Sequence, residues 1–330
     1  MTAAPEIELS VVVPVYREED NVGPLCDRLV PVLKRITDRF EILFIDDGST
    51  DGTLHALVRQ NRLDDRILAI SFSRNFGKEV AIAAGLDAAR GRAVVIMDAD
   101  LQHPPELIET FVRLWREGYV MIYGQRTSRE GESRLKRGFT HAFYRLFARF
   151  GETNLPEGAG DFRLIDRRGV EVLRMLGERA RFSKGLYAWI GFRSVGVPFT
   201  VEDRAFGSTK WNFRRLFRFA FDGITSFSTV PLRVWTYLGG LVSLGAIVAA
   251  LYFALRTLLF GSDVAGYPSL IVSITFFSGV QLMSLGIIGE YVGRIFAEVK
   301  RRPLYVIGDT VGMKAAALPP VWDERRQRAL

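Results

Sequence analysis

Four short apolar runs constrain this chain more than any other feature. Glu8 to Val15 (ELSVVVPV), Glu41 to Ile45, Arg66 to Phe72 and Ala93 to Met97 are rich in valine and isoleucine, as buried parallel strands are. Helical patterns separate them. Asn21 to Ile36 sets Val22, Leu25, Leu29, Val32, Leu33 and Ile36 at helical spacing, and Thr53 to Gln60 and the alanine-rich Glu79 to Ala89 follow. This alternation predicts an α/β fold with a parallel sheet covered on both faces. Ligands of such sheets bind beyond the carboxyl ends of the strands, and here every run ends in a polar cluster.

The clusters carry the chemistry. After the fourth run stands Met97-Asp98-Ala99-Asp100-Leu101-Gln102-His103, followed by Pro104-Pro105-Glu106. Side chains one residue apart on an extended chain point the same way, so Asp98 and Asp100 converge, and Gln102 continues the alternation with a neutral oxygen. Like charges this close need a positive partner. Hard oxygen donors suit Mg²⁺ or Mn²⁺, with phosphate oxygens completing the shell. The same residues also suit the lead-in to a helix. After the second run, Asp46-Asp47-Gly48-Ser49-Thr50-Asp51 can accept hydrogen bonds from a ribose or a base, or simply form a turn and an N-cap. After the first run, Pro14-Val15-Tyr16-Arg17-Glu18 offers Tyr16 for stacking on a base and Glu18 for a ribose. After the third, Ser73-Arg74-Asn75-Phe76-Gly77-Lys78 offers cations to an anionic ligand.

Composition adds a membrane. The chain is 48% hydrophobic yet 25% charged, which requires its apolar residues to be concentrated. Val234 to Leu255 runs about 22 residues without a charge and Val264 to Gly289 about 26, against the ~20 a helix needs to cross the hydrocarbon core. Lys210, Arg214, Arg215, Arg218 and Arg233 precede the first run, and Arg294, Lys300, Arg301 and Arg302 follow the second, so both outer flanks are expected in the cytoplasm. Ser133 to Gly151 and Lys210 to Phe227 mix phenylalanines with arginines as interfacial helices do, or as ordinary amphipathic helices packed on a sheet do. Gly239, Gly240, Gly245, Gly279, Gly286 and Gly289 suit close helix contact and a homo-oligomer. Arg302 to Ile307 is strand-like and is expected to pair with a neighbouring subunit. The net charge of +7 points to a polyanionic partner. Cys26 is the one cysteine, so no internal disulfide is possible. The N-terminus lacks the basic and apolar regions of a signal peptide.

Taken together, VVVPVYRE, IDDGSTDGT, SRNFGKE and MDADLQHPPE resemble the family 2 glycosyltransferases of GT-A fold. GDFRL at 160–164, RFSKGLYAWIGF at 181–192 and RAFGSTKW at 204–211 are similar to the polyisoprenyl-phosphate members, such as dolichyl-phosphate mannose synthases and bacterial undecaprenyl-phosphate transferases. The resemblance implies a GT-A catalytic domain over 1–210, a juxtamembrane helix over 211–233, a two-helix transmembrane hairpin over 234–293 and a cytoplasmic tail over 294–330, in the plasma membrane. It implies a nucleotide-sugar donor, UDP-linked or alternatively GDP-mannose, and a polyisoprenyl phosphate acceptor. Pro14, Tyr16, Glu18, Asp46, Asp47, Lys78 and Asp98 would hold the nucleotide sugar. Asp98, Asp100 and Gln102 would hold Mg²⁺ or Mn²⁺. Asp161, Asp100 and Arg181 would be catalytic, and Arg181, Arg204, Ser208 and Lys210 would face the lipid phosphate. The chain lacks the Q-x-x-R-W motif of processive synthases, which argues against polymer extension. Two rivals of other classes remain: a basic nucleic-acid binder, which the strand-end acids oppose, and a channel or flippase, for which two spans leave little room.

Overall fold

The computed structural model describes residues 7–126, 159–176, 178, 183–200, 266–300 and 302–313, with isolated positions between 239 and 259. The four apolar runs are strands β1 (Leu9–Val15), β2 (Phe40–Asp46), β3 (Ile67–Phe72) and β4 (Ala93–Ile96), nearly every residue buried. Between them lie α1 (Glu19–Ile36), α2 (Thr53–Leu63) and α3 (Lys78–Ala88). α4 (Leu107–Arg116), β5 (Met121–Arg126), β6 (Ala159–Asp166), α5 (Arg167–Met175), α6 (Ser183–Trp189) and β7 (Ser194–Phe199) follow. α7 (Tyr267–Val299) and β8 (Ile307–Val311) close the described chain.

One eight-stranded sheet runs β7-β5-β6-β4-β1-β2-β3-β8. β1 pairs in parallel with both β2 and β4, and β2 with β3. The mostly parallel sheet expected from the sequence is present, and its antiparallel pairings lie outside this core. β6 enters antiparallel to both β4 and β5, β7 is parallel to β5, and β8 is antiparallel to β3. Apolar cores form on both faces. Leu25, Leu29, Leu33, Ile108 and Phe111 pack under α1 and α4, and Ala81, Ile82, Val170, Leu173 and Leu186 under α3, α5 and α6. α3 lies so close to β1 that a Cβ on Gly85 would sit 2.2 Å from Val12 Cγ1.

The C-terminal expectations change. The strand is Ile307–Val311, not 302–307, and it pairs with β3 of its own chain. β8 covers what would otherwise be the open edge of β3, and Tyr305 anchors the approach by stacking on Phe72 with centroids 5.0 Å apart. Among the described residues no helix is long and apolar enough to cross a membrane, so the two-span hairpin over 234–293 does not stand on them. The first expected span falls mostly outside those residues. In the second region a single 33-residue helix, α7, runs on to Val299. The segments 133–151 and 211–233 also lie outside the described residues, as do Arg181, Arg204, Ser208 and Lys210.

Candidate active site

The chain goes from β1 outward to β2 and β3, then returns to place β4 on the other side of β1. This reversal opens a crevice at the carboxyl ends of β1 and β4, the place where open α/β sheets bind ligands. Pro14 belongs to this geometry. The β1–β4 ladder ends at Val12 and Ile96, so at Pro14 one neighbouring strand has already stopped and a proline is tolerated in an otherwise central strand.

The loop after β1 is tied to the loop after β2. Arg17 takes a left-handed φ of 58°, unusual for a residue with a side chain. Its N–H donates to Ser49 Oγ at 2.9 Å and its guanidinium to Thr50 Oγ1 at 3.0 Å, while the Glu18 N–H donates to Thr53 Oγ1 at 3.0 Å. Tyr16 remains 41% exposed beside them. A carboxylate oxygen of Glu18 accepts from Asn21 Nδ2 at 2.5 Å.

Asp46 and Asp47 are both buried. Asp46 accepts from the Ser49 N–H at 3.1 Å and from Ser71 Oγ at 2.6 Å. Asp47 accepts from the Phe76 N–H at 2.6 Å and the Gly77 N–H at 2.9 Å. Burial pushes the Asp47 carboxyl up, against those two hydrogen bonds. The sequence offers this pair as acceptors for a ribose or base or as part of a turn, and here both side chains also brace neighbouring loops. Gly48, next in the chain, needs its φ of 67° and its missing side chain, since a Cβ would lie 2.4 Å from the Arg74 backbone.

Beyond Ile96 the chain leaves the strand. Ala99 and Asp100 form a turn, and Leu101 takes a φ of 58°. Asp98 and Asp100 therefore share a loop rather than one face of an extended strand. Asp100 Oδ1 accepts from the Gln102 N–H at 3.2 Å. Asp98 has a cationic partner within the protein: Lys78 Nζ lies 2.6 Å from its Oδ1, and 2.8 Å from Asp161 Oδ2. The antiparallel register pairs Ile96 with Arg163, so two residues further on Asp161 stands across from Asp98. Lys78 bridges that gap from the first position of α3.

Around this triad lies a charged layer that sequence reasoning missed. Asp161 and Arg163 share one face of β6, the period-two signal present in the run Asp161-Phe162-Arg163. Arg163 is buried, with its guanidinium 3.6 Å from the Tyr187 ring centroid and donating to the Gly160 carbonyl at 2.5 Å. Glu79 accepts from Ser183 Oγ and so ties α6 to α3; burial and the nearby Asp161 push its carboxyl up. Burial alone would raise Asp161, but Lys78, Lys184 and Arg163 hold it well below the usual carboxylate range. Its Oδ1 is buried and, among the described residues, has no hydrogen-bond partner. His103 is buried too, stacked on Phe162 at 4.9 Å, and its Nδ1 accepts from the Asp98 N–H at 3.4 Å. Burial lowers its pKa, which favours the neutral ring.

The sheet order thus gathers an exposed Tyr16 and the Asp98–Lys78–Asp161 bridge at the carboxyl ends of β1 and β4, in an α/β fold of GT-A type. The glycosyl transferase family 2 pattern matches residues 10–174. An uncharacterized glycosyltransferase of Synechocystis sp. is 49% identical over 93% of this chain and 97% of its own. The bactoprenol glucosyl transferase of Shigella phage SfV is 42% identical over 91% of this chain and 98% of its own. Among solved structures, a mannosyltransferase from Pyrobaculum calidifontis in complex with GDP-Man and Mn²⁺ aligns over 90% of this chain and 88% of its own, at 18% identity and a TM-score of 0.47. This chain belongs to glycosyl transferase family 2 and is a glycosyltransferase.

Proposed function

We propose that this chain transfers a sugar from a nucleotide sugar, a UDP-sugar, to the phosphate of a membrane polyisoprenyl phosphate such as undecaprenyl phosphate, with inversion at the anomeric carbon. The observation that carries the reading is the Asp98–Lys78–Asp161 bridge at the switch-point crevice, in a chain 42% identical to a bactoprenol glucosyl transferase over nearly its whole length.

Tyr16 would stack on the base and Glu18 would accept from the ribose, against walls that Pro14, Asp46 and Asp47 shape. Lys78 and Asp98 stand where the diphosphate would lie. Two carboxylates and an amide from Asp98, Asp100 and Gln102 suit a hard divalent ion that takes few protein ligands. Mg²⁺ or Mn²⁺ bound there would neutralise the donor diphosphate and the departing nucleoside diphosphate.

The acceptor phosphate is already anionic and needs little deprotonation. Asp161, held in its ionised form, is a weak base; its partnerless buried Oδ1 is instead suited to fix a sugar hydroxyl. Positioning the two substrates then supplies much of the rate. Arg181, Arg204, Ser208 and Lys210 would offset the charge of the lipid phosphate. Membrane attachment is supported by α7, whose described side chains Ile274, Phe276, Leu282, Met283, Leu285 and Ile288 are exposed around the helix rather than along one stripe. The two uncharged runs would form a hairpin with both flanks cytoplasmic.

The test is incubation of the purified full chain with undecaprenyl phosphate and a panel of UDP- and GDP-sugars, with mass spectrometry of the lipid. A single lipid monophosphate sugar is expected from one donor. Transfer only to soluble acceptors, with the lipid untouched, would sink the proposal.

A further inference from the structure

Lys78 already neutralises the Asp98 carboxylate, the group proposed above as a metal ligand. Its ammonium lies 2.6 Å from Asp98 Oδ1 and 2.8 Å from Asp161 Oδ2. A Mg²⁺ ion sits ~2.1 Å from a ligating oxygen, so an ion bound to this carboxylate would stand roughly 4 Å from the ammonium, where the two positive charges repel strongly outside bulk water. The backbone that carries Lys78 is fixed. Asp47 holds the Phe76 and Gly77 N–H groups just before it, and Gly85 presses the helix onto Val12. The side chain is not fixed in the same way: four rotatable carbons carry it, and it remains 43% accessible.

We propose that Lys78 is a resident counter-ion at the metal seat, released from Asp98 only when divalent ion and nucleotide diphosphate arrive together. The diphosphate is the anion that takes up the released ammonium. The metal thus binds weakly to the empty enzyme and tightly in the presence of nucleotide, which orders loading. This rests on the proposal that Asp98 is a metal ligand. Asp161 keeps the ammonium within the site during the exchange, so the lysine pivots between partners rather than swinging to solvent. An ion pair that merely braces β6 against α3 would place no such condition on the metal.

The experiment measures Mn²⁺ binding to the full chain in detergent from the free-ion electron paramagnetic resonance signal, with and without UDP. K78Q is expected to bind Mn²⁺ at least tenfold more tightly than the wild type without UDP, and to gain less from added UDP. K78R, which keeps the charge, is expected to stay as weak as the wild type. D98N is expected to lose Mn²⁺ in every background. If K78Q binds Mn²⁺ no better than the wild type while D98N abolishes binding, the counter-ion role is wrong and the metal seat stands. If D98N leaves Mn²⁺ binding intact, the metal seat itself is wrong. Should K78Q fail to fold, thermal melting of the wild type decides: Mn²⁺ alone must raise the midpoint far less than Mn²⁺ with UDP after the shift from UDP alone is subtracted, and an equal rise refutes the exchange.

Discussion

Gly85→Ala tests whether α3 is held where Lys78 requires it. In most exposed helices this change stabilises by roughly 1 kcal/mol, because alanine loses less backbone entropy than glycine. Here the added Cβ would lie 2.2 Å from Val12 Cγ1 and 3.1 Å from Val12 Cγ2. Ordinary carbon contacts begin near ~3.5 Å, so the helix or the strand must move by roughly 1 Å. Val12 is fully buried in the central strand, between β4 and β2, and its β-branched side chain has little rotamer freedom. Overpacking of this kind costs about 1–3 kcal/mol; the severity of the contact places it at the upper end. Set against the propensity gain, the net loss is about 2 kcal/mol, or roughly 4–8 °C in the unfolding midpoint of a domain this size. Thermal unfolding of the full chain in detergent reads it. V12A removes both clashing methyls, so the double variant V12A/G85A is expected to show a favourable coupling above about 1 kcal/mol. A G85A protein as stable as the wild type or more so, with a strictly additive cycle, would refute the close-packing argument and with it the claim that α3 sets the lysine's position.

Asp161→Asn is expected to lower turnover at least about a hundredfold with a smaller change in donor KM; near-wild-type turnover in the lipid-transfer assay would remove Asp161 from the reaction. The Cys26 thiol, pushed up to about 12 by burial and by Asp27 and Asp64, is expected to ignore iodoacetamide at pH 8 until the chain unfolds, and mass spectrometry of the labelled peptide checks this. Arg66 holds Asp64, and Arg28 holds Glu106, below the usual carboxylate range. A lowered folded-state pKa stabilises above the unfolded value, near ~4, and that contribution is lost as pH falls through the folded value. The melting midpoint is therefore expected to drop below about pH 4, and D64N to melt lower than the wild type at pH 7 but to show a shallower acid drop; an unchanged drop in D64N counts against the Arg66 pairing.

Much of the parallel half of the sheet was legible in the residues. Runs such as Leu9–Val15 and Phe40–Asp46 announce buried parallel strands by composition alone, because a strand covered on both faces must be apolar throughout. Their polar termini mark the carboxyl edge, so Tyr16, Asp98 and Lys78 stand out as candidates from chain order alone. The second half of the sheet was not legible in that way. β5 and β7 are short and partly exposed, with no continuous apolar run to signal them. β6 carries Asp161 and Arg163 within its length, and a charged residue inside a strand reads as loop until its partners are known.

What the sequence determined by itself was the parallel core, the family and the inventory of acids and lysines at the strand ends, since periodicity and composition act locally along the chain. The tertiary structure decided the pairings. Antiparallel insertion of β6 beside β4 brings Asp161 opposite Asp98, from more than sixty positions away in the chain. Lys78 then meets both carboxylates, while Asp46 and Asp47 turn inward to brace loops. Charges attract through space, and only the folded backbone sets which of them are near enough for that attraction to outweigh the cost of leaving water.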